Sequence, residues 1–320
     1  MELSLFFAGT AAAVPSARRG LPALLIRRGG DRILIDCGEG TQRQLVRSVG
    51  LLDLTDVFIT HLDADHWLGL PGMLKSFELR DRERPLTVHG PSGTRALLER
   101  MRPVIGRPRY GLTIEELDPE EIVERDGFDI EPFRVRHRNA LGFALSEHMR
   151  PGRFDAELAE RLGVTPGPDF GRLQRGEPVA GVRPEQVLGE QRLGRRIVVT
   201  GDTAPTDTVV RAAYHADVLV HEATFLDEDA DRARETQHST ARQAAEIGAE
   251  AEVKLLALTH LSSRYNGKDI RDEARAVFPD TVVPRDFDTI DVPLPERGDP
   301  ELLRWDRAAG VPVGPSQSPA

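Results

Sequence analysis

Four side chains able to hold a metal ion, His61, Asp63, Asp65 and His66, fall within residues 61–66. Ahead of them, Asp56-Val57-Phe58-Ile59-Thr60 has the apolar, β-branched character of a buried strand. Behind them stands Gly69-Leu70-Pro71-Gly72, and residues 73–80 read as a helix. Donors on a loop between a strand end and a helix start converge on one point while the scaffold stays rigid. A helix start also favours an anion such as phosphate.

More polar side chains stand at the carboxyl ends of predicted strands. Residues 196–200 read as a strand ending in Gly201-Asp202-Thr203, and residues 255–259 as one ending in His260. His137 follows Phe133-Arg134-Val135 in the same manner. One such residue is ordinarily a cap or a turn; several, together with the 61–66 cluster, make a ligand set. Histidine and carboxylate donors without cysteine suit zinc, manganese or iron in a catalytic site that keeps a position open for water. His61, Asp63, Asp65, His66, His137, Asp202 and His260 are too many for one ion and suit two that share a carboxylate. Two ions ~3.5–4 Å apart can deprotonate a bridging water and clamp both oxygens of a phosphoryl displacement.

The chain that positions these residues has 320 residues, of which 39% are hydrophobic and 29% charged, enough for a substantial core. No apolar run reaches the ~18–20 residues of a membrane span, and the first residues lack a basic-then-apolar leader. The single cysteine, Cys37, excludes an internal disulfide framework and a cysteine zinc site, and points to a reducing cytoplasm. A net charge of −10 is not that of a basic nucleic-acid binder, although local patches and bound cations change the balance. The basic residues are almost all arginine, the better phosphate fork, a bias that a GC-rich genome also produces.

Strands are predicted at residues 2–7, 21–27, 32–36, 86–89, 114–117, 130–136 and 218–220. Helices are predicted at 42–49, 92–101, 155–162, from after Thr240 to about 247, and at about 269–278. Strands come first in pairs and then alternate with helices, which favours an α/β sandwich of mixed sheets over a doubly wound parallel sheet. Residues 147–192, with Thr165-Pro166-Gly167-Pro168, read as an inserted, protruding arm. Residues 1–294 form the main domain, and the Pro- and Gly-rich residues 295–320 are expected to be a flexible C-terminal tail.

The His-x-x-x-Asp-His spacing of His61, Asp65 and His66, with Gly69-Leu70-Pro71-Gly72, resembles the metallo-β-lactamase fold. The surroundings narrow the likeness. Asp36-Cys37-Gly38-Glu39-Gly40-Thr41-Gln42-Arg43-Gln44, the Gly-Pro arm, Gly201-Asp202-Thr203, His221-Glu222-Ala223-Thr224, His238-Ser239-Thr240 and Leu258-Thr259-His260-Leu261-Ser262-Ser263-Arg264-Tyr265 resemble ribonuclease Z, from about residue 3 to 280. The resemblance implies a four-layer αβ/βα sandwich and a metal-dependent endoribonuclease. That enzyme removes the 3′ trailer of precursor tRNA with a metal-activated water and leaves a 3′-hydroxyl. It places one ion, zinc in the family, on His61, residue 63, His137 and Asp202, and a second on Asp65, His66, Asp202 and His260. Asp65 helps activate the water, Glu222 and His238 support proton transfer to the leaving oxygen, and a homodimer holds tRNA with its arms.

Three departures stand out. Asp63 replaces the family's histidine; a more anionic ligand shell favours manganese or iron over zinc, unless Asp63 points away and leaves one site weak. Ala204 stands where the family has an arginine. The arm carries acids at 147, 155, 157, 160, 169, 177, 185 and 190 against arginines at 150, 153, 161, 172, 175, 183 and 192. Only Arg172 and Arg175, beside the Gly-Pro turn, are placed to grip phosphate. The competing readings are a related hydrolase of a small phosphodiester or sulfate ester, and a catalytically weak RNA-binding relative. No Gly-x-Ser-x-Gly elbow is present, which speaks against a serine hydrolase.

Overall fold

The computed structural model describes residues 1–314 except Leu52, Arg307 and Ala308. Two mixed β-sheets lie face to face with helices on both outer faces, the α/β sandwich that the strand pattern favours. In chain order the strands are β1 (Leu3–Gly9), β2 (Ala23–Arg28), β3 (Asp31–Ile35), β4 (Asp56–Phe58), β5 (Leu86–Gly90), β6 (Leu112–Glu116), β7 (Val123–Arg125), β8 (Phe128–Arg134), β9 (Leu141–Glu147), β10 (Arg196–Val199), β11 (Val218–Glu222), β12 (Leu255–Thr259), β13 (Thr281–Val282), β14 (Thr289–Asp291), β15 (Glu301–Asp306) and β16 (Val311–Val313). The first sheet runs β16-β15-β14-β1-β2-β3-β4-β5-β6 and the second β13-β12-β11-β10-β9-β8-β7.

Alternation along each strand builds the layers. Leu3, Leu5 and Phe7 of β1 point between the sheets, where they meet Phe58, Phe143, Val199 and Val220. Phe6 and Ala8 point outward to the helix Leu70–Leu79, which contributes Met73, Leu74 and Phe77. On the other side, Val198 and Leu219 pack against Ala241, Ala244 and Ile247 of the helix Ala241–Glu250. Each large side chain so buried contributes roughly 1.5–3 kcal/mol.

The arm leaves the second sheet between two hydrogen-bonded neighbours. β9 and β10 pair antiparallel, with Ser146 opposite Arg196, and residues 148–195 loop out between them. This segment has its own apolar cluster, in which Ala159, Leu173, Val182 and Val187 are buried and Phe154 and Phe170 pack against them. Helix Ala156–Arg161 is capped by Asp155, whose carboxylate accepts the Leu158 N–H. A second helix, Pro168–Gln174, forms in the Pro- and Gly-rich stretch read as a turn; its proline sits in the first turn, where no donor is lost. At the base, Glu296 accepts two hydrogen bonds from Arg150, at 2.9 and 2.8 Å, and one from Arg192 at 2.9 Å.

The residues beyond 294 do not run off as a loose tail over their described part. β15 extends the first sheet, with Leu303 opposite Thr289, and β16 pairs with β15. Apolar packing explains this: the Trp305 ring lies 6.2 Å from Phe6 and 5.8 Å from Phe287. The Trp305 backbone N–H donates to Asp288 Oδ1 at 2.9 Å. Residues 307–308 and 315–320 of the expected tail lie outside the described residues.

Candidate metal centre

Topology gathers the site. β3 and β4 pair in parallel in one sheet, and β10, β11 and β12 pair in parallel in the other. Asp36 follows β3, His61 lies just past β4, Asp202 follows β10, Glu222 ends β11 and His260 follows β12. Carboxyl ends of parallel strands therefore deliver these side chains to one edge of the sandwich. His137 joins them from beyond β8. His61, His137 and Asp202 form one group of converging ligand atoms, and Asp65, His66 and His260 another; His238 also lies within reach of Asp202 and His260.

Asp202 sits between the groups. Its Oδ2 is 3.6 Å from His61 Nε2, and its Oδ1 is 3.4 Å from His66 Nε2 and 3.3 Å from His260 Nε2. Asp65 Oδ2 lies 3.5 Å from His66 Nε2 and 3.4 Å from His260 Nε2. Asp63 starts the helix Ala64–Trp67 without a side-chain cap bond, so its carboxylate is free to face the ring of ligands. Its Oδ2 is 3.9 Å from His61 Nε2 and 3.7 Å from His137 Nε2, while its Oδ1 takes the Arg138 guanidinium at 3.3 Å. Asp63 points into the site.

The other nitrogen of each imidazole is committed elsewhere. His66 Nδ1 donates to Asp36 at 2.7 Å, and His137 Nδ1 donates to the Gln237 carbonyl at 3.1 Å. Thr60 Oγ1 donates to Asp36 at 2.8 Å and accepts from His61 Nδ1 at 3.1 Å. Thr224 Oγ1 donates to Glu222 at 2.6 Å and accepts from His260 Nδ1 at 2.8 Å. Each partner fixes a proton on Nδ1 and turns Nε2 inward, the arrangement that outer partners impose on ligating histidines. The Nε2 atoms of His61, His66 and His137 and Oδ1 of Asp202 are buried with no hydrogen-bond partner. Leaving such a group unpaired costs about 1–3 kcal/mol. The donor set fits divalent cations.

The electrostatics point the same way. Burial and the neighbouring His66 push His61 down to about 2, which leaves it neutral with a free lone pair. Burial opposes a charge on His66, yet Asp202 and Asp36 hold it well above the ordinary range; their field draws a cation to Nε2. Burial likewise opposes a charge on His238, but Glu222, 2.8 Å from its Nδ1, and Asp202 raise it to about 9. Glu222 is fully buried and also accepts the Thr203 N–H at 2.7 Å. Cys37 is buried beside the site, and burial raises its thiol too far for a thiolate.

Backbone strain accompanies the cluster: Asp36, Gln237 and His260 hold left-handed φ of 59°, 60° and 56°. Gly201 is left-handed at 63°, and a Cβ there would sit 2.8 Å from Thr60 Cβ. Asp36, Thr60, Thr224 and Gln237 are the supporting residues that ligand spacing alone does not reveal. Arg172 and Arg175 lie in the arm, where Arg172 pairs with Asp169 at 3.3 Å and Glu177 at 3.1 Å, and Arg175 with Glu177 at 3.4 Å. Among the described residues, no helix is long and apolar enough to cross a membrane.

A family described as "Beta-lactamase superfamily domain" matches residues 31–261. Ribonuclease Z of Natronomonas pharaonis is 47% identical over 307 residues, covering 92% of this chain and 100% of that protein. Ribonuclease Z of Gemmatimonas aurantiaca is 44% identical, covering 92% and 98%. Among solved structures, human tRNase Z, short form, superposes with a TM-score of 0.67 at 28% identity over 91% of this chain and 99% of that one. The metallo-beta-lactamase fold protein YhfI from Bacillus subtilis, at 17% identity and a TM-score of 0.69 over 91% and 100%, shares the fold.

Proposed function

This chain belongs to the ribonuclease Z family, and we propose that it acts on precursor tRNA as a metal-dependent endoribonuclease that removes the 3′ trailer. The observation that carries the reading is the set of orphaned, inward-facing ligand atoms on His61, His66, His137 and Asp202 beside the Glu222–His238 pair. His61, Asp63, His137 and Asp202 would hold one divalent ion, and Asp65, His66, Asp202 and His260 a second, with Asp202 shared. Zinc is the expected metal, and Asp63 opens the site to manganese or iron. Such a pair supplies Lewis acidity and lowers the pKa of water.

The chain's own residues do the rest. A water oxygen bonds to phosphorus as the bond from phosphorus to the 3′-oxygen of the tRNA breaks, so the phosphate stays on the trailer. Asp65 orients the attacking water and accepts its proton. His238, held protonated by Glu222, donates to the departing 3′-oxygen, a step worth typically about 10²–10⁴-fold. A homodimer in the cytoplasm, each arm holding the tRNA that the other subunit cuts, completes the proposal. Arg172 and Arg175 would contact phosphate only by exchanging their arm carboxylates for it.

Incubation with a precursor tRNA and, separately, with bis(p-nitrophenyl) phosphate, each with zinc or manganese, tests the reading. Trailer release with a 3′-hydroxyl on the tRNA is expected. Hydrolysis of the small ester without trailer removal would instead favour a small-phosphodiester hydrolase, and inertness towards both an RNA-binding relative.

A further inference from the structure

A cavity of about 780 Å³ opens beside the metal centre. Arg18, Arg19, Lys268, Arg271, Arg285 and Arg304 line it, and no carboxylate does. In a chain of net charge −10, six cations around one concavity without an acid are a directed field. Arg271 and Arg304 are partly engaged, with Asp272 at 2.9 Å and Asp288 at 2.5 Å. Among the described residues, Arg18, Lys268 and Arg285 make no ion pair and are exposed. The volume lies within the roughly 300–1,000 Å³ of ligand pockets, room for a short length of single strand.

Both walls are continuous with catalytic residues. The wall that carries Arg18 and Arg19 follows Ala13, whose N–H donates to Asp65 Oδ2 at 3.0 Å. The wall that carries Lys268 and Arg271 begins at Leu261, next to His260, and Leu261 bridges to Ala11. The cavity is thus an extension of the Asp65–His260 side of the site.

The direction of the reaction then assigns its occupant. The oxygen that leaves belongs to the tRNA, and His238 protonates it. Asp65 serves the attacking water opposite the leaving oxygen, and the ester to the trailer stays on phosphorus, off the axis that carries the tRNA body to the His238 side. We infer that the basic cavity holds the phosphates of the first trailer nucleotides, 3′ of the cut, while the tRNA body lies on the His238 side. The inference rests on the reaction proposed above and adds a subsite to it: a single-stranded RNA segment, held by its backbone and therefore without demand on sequence.

The test uses full-length protein carrying Arg18→Ala, Lys268→Ala and Arg285→Ala together, three exposed residues outside the metal centre. In chelator, without cleavage, fluorescence anisotropy follows a labelled single-stranded RNA of the trailer sequence. The variant should bind about 10-fold more weakly. Its slope of log affinity against log salt should be shallower by about 2, since each phosphate contact contributes about 0.7. Mature tRNA lacking the trailer should bind both proteins equally, and bis(p-nitrophenyl) phosphate should be hydrolysed equally. Unchanged affinity for the trailer RNA overturns the subsite. Equal loss of trailer and mature tRNA overturns its assignment to the trailer. If wild-type protein leaves precursor tRNA uncut while the variant still loses the trailer RNA, the reaction falls and the anion site stands.

Discussion

Two knots of buried charge lie in this sandwich, and the contrast between them separates what holds the fold from what the fold is for. In one, Glu147 accepts Arg195 Nε at 2.8 Å and Nη2 at 2.7 Å, and Arg28 Nε at 2.9 Å. The remaining Arg195 donors reach the Val292 carbonyl at 2.8 Å and the Met1 carbonyl at 3.0 Å. Every charge there is answered, and the partners lie in β2 and β9, just before β1 and β10, and just after β14. In the other, the imidazoles of His61, His66 and His137 have one nitrogen answered and one bare, and Asp202 keeps a bare oxygen. Satisfied burial makes a rivet; unsatisfied burial makes a binding site.

The strongest way to break the comparison is to remove the centre of each knot. Asp202→Ala should reduce trailer removal on the order of 10³-fold, while the chelated protein melts at or above the wild-type temperature, because a buried anion has gone. A lowered melting temperature in chelator would mean that Asp202 is a rivet. Glu147→Ala should do the reverse: it strands two buried guanidiniums and costs about 3–5 kcal/mol in urea unfolding, with activity per folded molecule unchanged.

The Glu147 knot also predicts a pH window. Burial works against its charge, but Arg195 and Arg28 hold the carboxyl down to about 2 against an ordinary 4.5. Its stabilisation is complete above about 4.5 and fades as pH falls towards 2. The urea midpoint of wild-type protein should drop through that window, and that of Glu147→Gln should drop less.

Smaller effects probe the rim of the site. Asp36→Asn leaves the ligands in place but weakens the anchor on His66 and Thr60; metal affinity, read by chelator competition, should fall about 10–100-fold. Asp63→His should raise the zinc-to-manganese ratio of protein purified without chelator. An unchanged ratio would show that Asp63 does not set metal preference.

The converging side chains were more legible in the sequence than the residues that support them. His61, Asp65 and His66 share one loop, and Asp202 and His260 end apolar runs, so residue type and local period suffice. Asp36, Thr60 and Thr224 matter only because they meet an imidazole nitrogen from a distant strand, and hydroxyls or carboxylates at strand ends are too common to stand out. The hairpin of β15 and β16 was hidden by its Pro and Gly content. Its docking depends on Trp305 finding Phe6 and Phe287, a contact across the chain that no local pattern carries. The helix Pro168–Gln174 was hidden in the same way, its proline being a start signal that also reads as a turn.

The arm's attachment has a consequence for how such an enzyme can change. It departs and returns through adjacent strands that are already bonded to each other, and it packs on its own apolar cluster. Lengthening, trimming or recharging it alters neither the register of β9 on β10 nor the strand ends that carry Asp202 and His137. With the arm holding substrate as proposed, reach and hydrolysis become separable properties, and a change of client needs the editing of a single loop.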